Sequence, residues 1–172
     1  MSKFFNFIVL LMFGMLGSSV FAADANQVEN PLLGSWRLAS VTYKSEERSS
    51  TIEEAQPGIF LFTPDSYAIM WTPLNRARTP FKVLSNPTDE EAIAGFKSVV
   101  FNGGSYQFDG DGMTTKAFIA KVPGFEGGLQ HYRYDVNGDQ LHLTMFDETY
   151  PDGSKPDWSG IWETEFVLER VK

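Results

Sequence analysis

The sequence predicts an all-β domain, an eight-stranded antiparallel barrel with one inserted α-helix. Eight short segments show the alternating or wholly apolar pattern of strands, and turn-forming residues separate most of them. Only one segment has helical spacing and a helix start signal. Eight antiparallel strands close a barrel just wide enough to hold one small ligand, so this count also indicates a possible role in binding.

Composition excludes several functional classes. The 172 residues include 14 Lys and Arg, 22 Asp and Glu, and no Cys, which gives a formal charge of −8. Without Cys there is no disulfide, no thiol nucleophile and no thiolate metal site. The acidic balance argues against nucleic acid and anionic lipid as partners. Aromatic residues make up 15% of the chain, which indicates large flat apolar surfaces.

The first 22 residues have the pattern of a secretory signal peptide. Lys3 precedes an apolar run over residues 4–16, and small residues lead up to Ala22. This run of about 13 residues is shorter than the roughly 20 that a membrane-spanning helix needs. Cleavage after Ala22, or alternatively after Ala25, leaves a domain over residues 23–172. We expect that domain to be exported, periplasmic or secreted, without a stable membrane anchor.

Hydrophobic alternation and turn signals give the order of the elements. The predicted strands span residues 34–43, 58–62, 67–71, 105–109, 113–122, 129–136, 140–147 and 161–171. Residues 44–56 and 149–160 are predicted to be loops, and Asp147 and Glu148 are interpreted as solvated charges. Asn137-Gly138 is a strong hairpin signal, and a two-residue turn there pairs Tyr134 with Leu141.

The single predicted helix spans residues 88–101. Thr88 and Glu91 form a capping-box pattern, and acidic residues fill the first turn, where the helix dipole favours them. Residues 102–104, Asn-Gly-Gly, are expected to end the helix. Its apolar stripe consists of Ile93, Phe96 and Val100.

The hairpin around Asn137 has two faces with different chemistry. One carries Tyr132, Tyr134, Leu141, Leu143 and Met145, and the other carries His131, Arg133, Asp135, His142 and Thr144. In one interpretation the first face is core and the second faces solvent. In the other, His131, Arg133 and His142 face the interior and bind an acidic or polar ligand head.

Aromatic residues on the strands are the candidates for a pocket wall, because ligand pockets are mostly apolar with few polar groups. They are Tyr67, Trp71, Phe118, Tyr132, Tyr134, Trp162 and Phe166, with His131 and Arg133 as candidate polar anchors. Plain core packing is the alternative for each aromatic residue. Arg76 and Arg78 follow the second hairpin, near a barrel mouth, where they could attract an anion or simply be solvated.

The motifs predict neither a metal site nor a cofactor. His131 and His142 are the only histidines, and their spacing matches no metal motif. Residues 109–112 resemble the start of a calcium loop, but Thr114 and Ala120 occupy the positions that require Gly and Glu. Nucleotide-binding and serine-hydrolase fingerprints are absent from the sequence.

Several segments resemble the bacterial lipocalin-like domains. Gly34-Ser35-Trp36 is similar to the G-x-W signature that opens lipocalins, and residues 57–68 and 133–143 resemble later strands of the group. The likeness covers residues 30–171 and implies that Arg170 packs on Trp36, with Gly34 as a further structural residue. The Thr-Asp-Tyr signature of well-studied secreted lipocalins is absent, so their receptor-binding roles are not carried over.

The resemblance and the aromatic content together predict a monomer that binds a small hydrophobic or amphipathic molecule inside the barrel. One alternative is a cofactor-independent cyclase or isomerase, in which a Tyr, His or Arg inside the barrel acts as acid, base or electrostatic stabiliser. Another is a filled barrel whose outer surface binds a protein, which would show an exposed apolar patch instead of a cavity.

Overall fold

The computed structural model describes residues 29–172, so the predicted signal peptide lies outside the described residues. Nine strands and one helix form in this part of the chain. They are β1 (Gly34–Lys44), β2 (Ser49–Ile52), β3 (Gly58–Phe62), β4 (Ser66–Trp71), α1 (Asp89–Lys97), β5 (Val100–Asp109), β6 (Gly112–Ala120), β7 (Leu129–Asn137), β8 (Gln140–Thr149) and β9 (Glu163–Arg170).

Eight of these strands form a closed antiparallel barrel, which confirms the predicted fold. The sheet runs β1-β3-β4-β5-β6-β7-β8-β9 and closes where β9 pairs with β1. The ninth strand, β2, pairs with the second half of β1, from Val41 to Lys44, where β3 no longer reaches. It lies in the predicted loop 44–56, which carries too few apolar residues to show a strand pattern.

The barrel interior is filled by large apolar side chains from all eight strands. Trp36, Phe60, Leu141, Leu143 and Leu168 have no solvent exposure. The ring of Phe166 meets Phe60 and Trp71 edge to face, with centroids 5.2 and 5.1 Å apart. Such aromatic pairs contribute beyond the area they bury, so this layer is a major source of stability.

The two ends of the barrel are built differently. At one end, here called the closed end, short turns join β3 to β4, β5 to β6 and β7 to β8, and the chain enters through residues 30–33. At the other, the open end, the long connections meet: residues 53–57, 72–99 with helix α1, 121–128 and 150–162. Long surface connections of this kind carry binding sites more often than the scaffold does.

The helix is shorter than predicted. The capping box forms, with Thr88 accepting from the Glu91 backbone N–H, but α1 ends at Lys97. Val100 already pairs with Trp71 in the sheet, so the predicted helical stripe is split between helix and strand. None of the residues of α1 is buried. The 3.6-residue spacing of apolar residues therefore predicts too long a helix, because the residues from Val100 onward pair with β4 in the sheet.

The Asn-Gly-Gly sequence at 102–104 lies inside β5 and does not end the helix. Gly104 is required there by a close approach of β6, since a Cβ on Gly104 would lie 2.0 Å from the Lys116 carbonyl oxygen. The register between β5 and β6 shifts at this point. The glycine pair that resembles a helix stop therefore lies within strand β5, at the point where its pairing with β6 becomes irregular.

The turn of the β7–β8 hairpin lies one residue later than predicted, so the residues from Tyr132 to Val136 pair with residues two positions further along β8. Asn137 pairs with Gln140, so Gly138 and Asp139 form the turn, and Tyr134 pairs with Leu143. A shift of two residues in pairing leaves each side chain on its original face. Tyr132, Leu141 and Leu143 are buried inside, and Arg133 and His142 are exposed outside, as in the first of the two interpretations.

Candidate ligand-binding site at the open end

The closed end is sealed by a stacked pair, Trp36 and Arg170. The guanidinium carbon lies 4.0 Å from the centroid of the indole ring, within cation–π range. Arg170 also donates to the Leu33 carbonyl at 2.7 Å, and the indole N–H donates to the Leu32 carbonyl at 2.7 Å. Gly34 has φ +119°, and a Cβ there would lie 3.1 Å from the Arg170 Nη1. This end therefore has no room for a ligand.

A group of polar side chains lies inside the barrel, and three of them, Asn102, Gln130 and Glu148, line a cavity at the open end. We call it the polar cluster; it comprises Tyr67, Asn102, Gln130, Tyr132 and Glu148. Gln130 is central: its amide oxygen accepts from the Tyr132 hydroxyl at 2.9 Å and from the Asn102 amide at 3.2 Å. Its amide nitrogen donates to the Glu148 carboxylate at 2.8 Å. Four of the five residues are thus one connected network.

A β-bulge places Glu148 inside the barrel. Tyr132 pairs with Met145, but His131 pairs with Asp147, so Phe146 is an extra residue on β8. In regular pairing Asp147 would lie opposite Gln130, whereas the bulge brings Glu148 there and turns Asp147 outward. Asp147 then anchors the 150–162 connection, accepting from Ser159 at 2.5 Å and pairing with Lys155.

Two buried atoms of the polar cluster have no hydrogen-bond partner among the described residues. They are the Tyr67 hydroxyl and the Asn102 Oδ1. Tyr67 is 4% exposed and Asn102 is 6% exposed, so protein rather than bulk solvent surrounds both. An unpaired buried polar group costs about 1–3 kcal/mol, and such groups are usually satisfied by a bound molecule or water. The cluster therefore retains hydrogen-bonding capacity.

Burial sets the protonation of the cluster. It raises the pKa of Tyr67 to about 12 and raises the pKa of Tyr132 well above its usual value. Both hydroxyls are thus neutral at physiological pH. Burial also raises the pKa of Glu148, against the opposing effect of the hydrogen bond from Gln130, and the Asp147 charge acts in the same direction as burial. Glu148 therefore takes up a proton at a higher pH than an exposed glutamate does.

A cavity of about 220 Å³ opens directly above Asn102, Gln130 and Glu148. Phe125 and Tyr150 also line it, and their rings meet edge to face at 6.3 Å. A second cavity of about 340 Å³ shares Phe125 and Tyr150 as wall residues and opens toward the 150–152 segment. The open end thus combines a polar floor with aromatic walls, the composition typical of ligand pockets.

Five of the predicted ligand-binding residues lie inside the barrel, in three different surroundings. Tyr67 and Tyr132 belong to the polar cluster. Trp71 and Phe166 pack against each other in the apolar core. Tyr134 lies near the closed end, where its hydroxyl donates to the Gly110 carbonyl at 2.8 Å. Of the five side chains, only that of Tyr132 bonds to a residue that lines the open-end cavity, through its hydroxyl to Gln130.

Three of the predicted ligand-binding residues lie on the outer face, and for His131 and Arg133 this is the first of the two interpretations of the hairpin. The remaining aromatic candidate, Trp162, precedes β9 and is 37% exposed. Phe118 is 66% exposed, because Met113, Thr115 and Ala117 occupy the inner face of β6 and Phe118 alternates with them. His131 lies 3.1 Å from the Thr114 hydroxyl, and Arg133 forms an ion pair with Glu163 at 2.7 Å. The physical reason is the same for the last two: their strand neighbours Gln130 and Tyr132 occupy the interior.

Asn102, Gln130 and Glu148 are the site residues that the sequence analysis missed. Gln130 alternates with Tyr132 and Tyr134, so the pattern assigns it to the inner face, although a lone Gln carries no functional signal. Asn102 was hidden by its resemblance to a helix stop. Alternation along β8 could not predict that Glu148 faces inward, because the bulge at Phe146 exchanges the inner and outer positions of the residues that follow it.

Within residues 29–172 there is no cluster of three His, Asp or Glu side chains placed to hold a metal ion. The described helix is too short and too polar to cross a membrane.

Comparison with known proteins identifies the family. The sequence profile of the lipocalin-like domain matches residues 33–168. The chain belongs to the lipocalin-like domain family. A lipocalin-like domain is a barrel of ligand-binding type, and the family assignment agrees with the closed eight-stranded sheet described above.

Two solved structures are similar to this lipocalin-like domain at low sequence identity. A lipocalin-like protein from Bacteroides uniformis ATCC 8492 is 13% identical, with a TM-score of 0.40, covering 83% of this chain and 100% of its own. An uncharacterized protein from Bacteroides eggerthii DSM 20697 is 10% identical, with a TM-score of 0.42, covering 81% and 99%. No curated protein matches the chain.

Proposed function

We propose that this lipocalin-like domain is an exported protein that binds a small amphipathic molecule at the open end of the barrel. The observation that carries the proposal is the unpartnered Asn102 Oδ1, buried beside a cavity whose floor also includes Gln130 and Glu148. A ligand that donates a hydrogen bond to Asn102 would remove the cost of this unpaired acceptor. Its apolar part would contact Phe125 and Tyr150.

The chemistry of the floor favours a ligand with hydroxyl or amino groups over an anion. Asn102 offers an acceptor, and Glu148 offers carboxylate oxygens that would repel negative charge. Lys121 is the one basic residue among those lining the cavity, and its ammonium lies over the Phe96 ring at 4.5 Å. We therefore expect the polar part of the ligand to be a neutral or cationic hydrogen-bond donor.

Native mass spectrometry tests the proposal. Residues 23–172 would be purified from the envelope fraction of the native host and measured before and after denaturation. We expect an adduct of roughly a few hundred daltons, the size of a typical pocket ligand, that is lost on denaturation. A clean apo mass, together with no binding of an apolar fluorescent probe, would exclude small-molecule binding by this domain.

A matched pair of variants locates the ligand. Asn102→Leu removes the free acceptor while Gln130 keeps its bond to the Tyr132 hydroxyl, so we expect the fold to persist and the adduct to be lost. Gln107→Leu lies on the same strand but is exposed on the outside, and it should leave the adduct intact. Retention of the adduct by Asn102→Leu would contradict the assignment to the polar cluster.

A further inference from the structure

A larger cavity, of about 700 Å³, lies at the rim of the barrel near the open end, where outward side chains and the buried Leu38 and Trp71 line it. Its floor is a row of outward side chains on three adjacent strands: Arg37 pairs with Ile59, and Ile59 pairs with Met70. Residues 55–58 and 77–78 form its sides. We call it the outer cleft. Its volume is within the roughly 300–1,000 Å³ of typical small-molecule sites.

The floor of the outer cleft is apolar although it faces solvent. Ile59 is 37% exposed and Met70 is 41% exposed, and the largely buried Trp71 also lines the cleft. The outer face of an antiparallel barrel is ordinarily polar where it meets water. These apolar side chains therefore offer a contact surface for the hydrocarbon part of a ligand.

The charged side chains that line the outer cleft are both arginines, in a chain whose formal charge is −8. Arg37 and Arg78 are the charged residues that line it, and no Asp or Glu does. Arg37 is neutralised by an ion pair with Glu169. Arg78 has no carboxylate within ion-pair distance in the part of the chain that the structure describes, so its charge is available to a ligand.

A hydrogen bond holds Arg78 at the cleft. Its Nε–H donates to the Ser98 hydroxyl at 2.8 Å, and that hydroxyl donates to the Gly95 carbonyl at 2.7 Å. Ser98 is 7% exposed, so the anchor is buried. With Nε occupied, the two terminal nitrogens of the guanidinium can bond one acidic group in the fork geometry that arginine provides.

We propose that the outer cleft is a second binding site, for a single-chain amphiphile with an acidic head group. The hydrocarbon chain lies on Ile59, Met70 and Trp71, and the head group bonds Arg78. The site is independent of the open-end cavity, and the two differ in charge preference. Asn102 and Glu148 select a hydrogen-bond donor, whereas Arg78 selects an anion.

Isothermal titration calorimetry with defined probes tests this site. Decanoate and decyl phosphate, below their micelle concentrations, represent the two acidic head groups; decanol and decyltrimethylammonium are the neutral and cationic controls. We expect at least one acid to bind and the cation not to bind. Arg78→Gln should weaken binding of the acid about tenfold or more, as expected for loss of a charged hydrogen bond.

Two further variants separate this proposal from general hydrophobic binding. Arg76→Gln removes a nearby exposed arginine that does not line the cleft, and it should change affinity less than about twofold. Met70→Glu, on the solvent-facing side of β4, should abolish binding without unfolding the barrel. Three results would each overturn the proposal: no binding of either acid, equal affinity for decanol with no effect of Arg78→Gln, or binding lost in Asn102→Leu and retained in Arg78→Gln.

Discussion

At the closed end of the barrel the side chains of Trp36 and Arg170 have hydrogen-bond partners, whereas at the open end the buried Asn102 Oδ1 has none in residues 29–172. The indole N–H of Trp36 and the guanidinium of Arg170 both bond to backbone carbonyls of the entering chain. The open end instead has a polar floor beneath a cavity. The same strands thus contribute a stabilising seal at one end and unused hydrogen-bonding capacity at the other.

This difference suggests how the domain divides stability from function. Satisfied polar groups and close packing stabilise the native state, while unsatisfied buried groups cost free energy unless a ligand completes them. Substitutions at the closed end should therefore change stability and leave binding intact. Substitutions at the polar cluster should change binding, with a smaller or even favourable effect on stability.

The largest effect is expected at the closed end. Trp36→Ala should lower the free energy of unfolding by about 3–5 kcal/mol, because it removes a fully buried indole and leaves a cavity. Equilibrium urea denaturation measures the loss. Trp162→Ala is the control, since that side chain is 37% exposed and should cost under about 1 kcal/mol. Equal losses in the two variants would refute the assignment of Trp36 to the core.

A smaller loss is expected from Arg170→Met. The substitution keeps the aliphatic stem but removes the cation–π contact and the hydrogen bond to the Leu33 carbonyl, for a combined loss of about 2 kcal/mol. The comparison is Lys172→Met, which breaks an exposed ion pair with Asp139 and should have a much smaller effect. If Lys172→Met destabilised the protein as much, surface charge rather than the seal would explain both losses.

The smallest effect, and the one with the opposite sign, is expected at Glu148. The pKa of Glu148 is raised in the folded state above its ordinary value of 4.5. Between these two values the native state binds more protons than the unfolded state, so the free energy of unfolding falls as the pH rises from the ordinary value through the raised one. Glu148→Gln removes this penalty and keeps the contact with Gln130. The variant should therefore gain stability relative to wild type as the pH increases from 5 to 8. Denaturation midpoints across that pH range measure the difference.

The neighbouring carboxylate gives the matched control. Lys155 and Ser159 hold the pKa of Asp147 at about 2, so its stabilising contribution is present above the ordinary value of 3.8 and is lost as the pH falls toward 2. Asp147→Asn should consequently lose stability at neutral pH, the reverse of Glu148→Gln. A loss of stability in both variants would contradict the opposite placements of these two side chains.

The two ends also differ in how much of their structure could be predicted from the sequence. The closed end depends on short turns and a local motif. The spacing of strands predicted the barrel, and the resemblance to lipocalin-like domains implied the stacking of Arg170 on Trp36, which the structure shows. The polar cluster depends on two features that alternation does not reveal: Asn102 lies in a segment that resembles a helix stop, and Glu148 follows the bulge at Phe146. The bulge changes which residues of β8 face inward, and binary alternation cannot anticipate such a change.

The most direct test of the open-end site is side-chain amide NMR on the 15N-labelled domain during addition of a small-molecule extract of the native host. The amide signals of Asn102 and Gln130 report on the polar cluster, and the indole N–H of Trp36 reports on the closed end. We expect the Asn102 and Gln130 signals to shift with saturation while the Trp36 signal stays in place. Shifts at Trp36 without shifts at Asn102, or no shift with any fraction of the extract, would contradict the assignment of ligand binding to the open end.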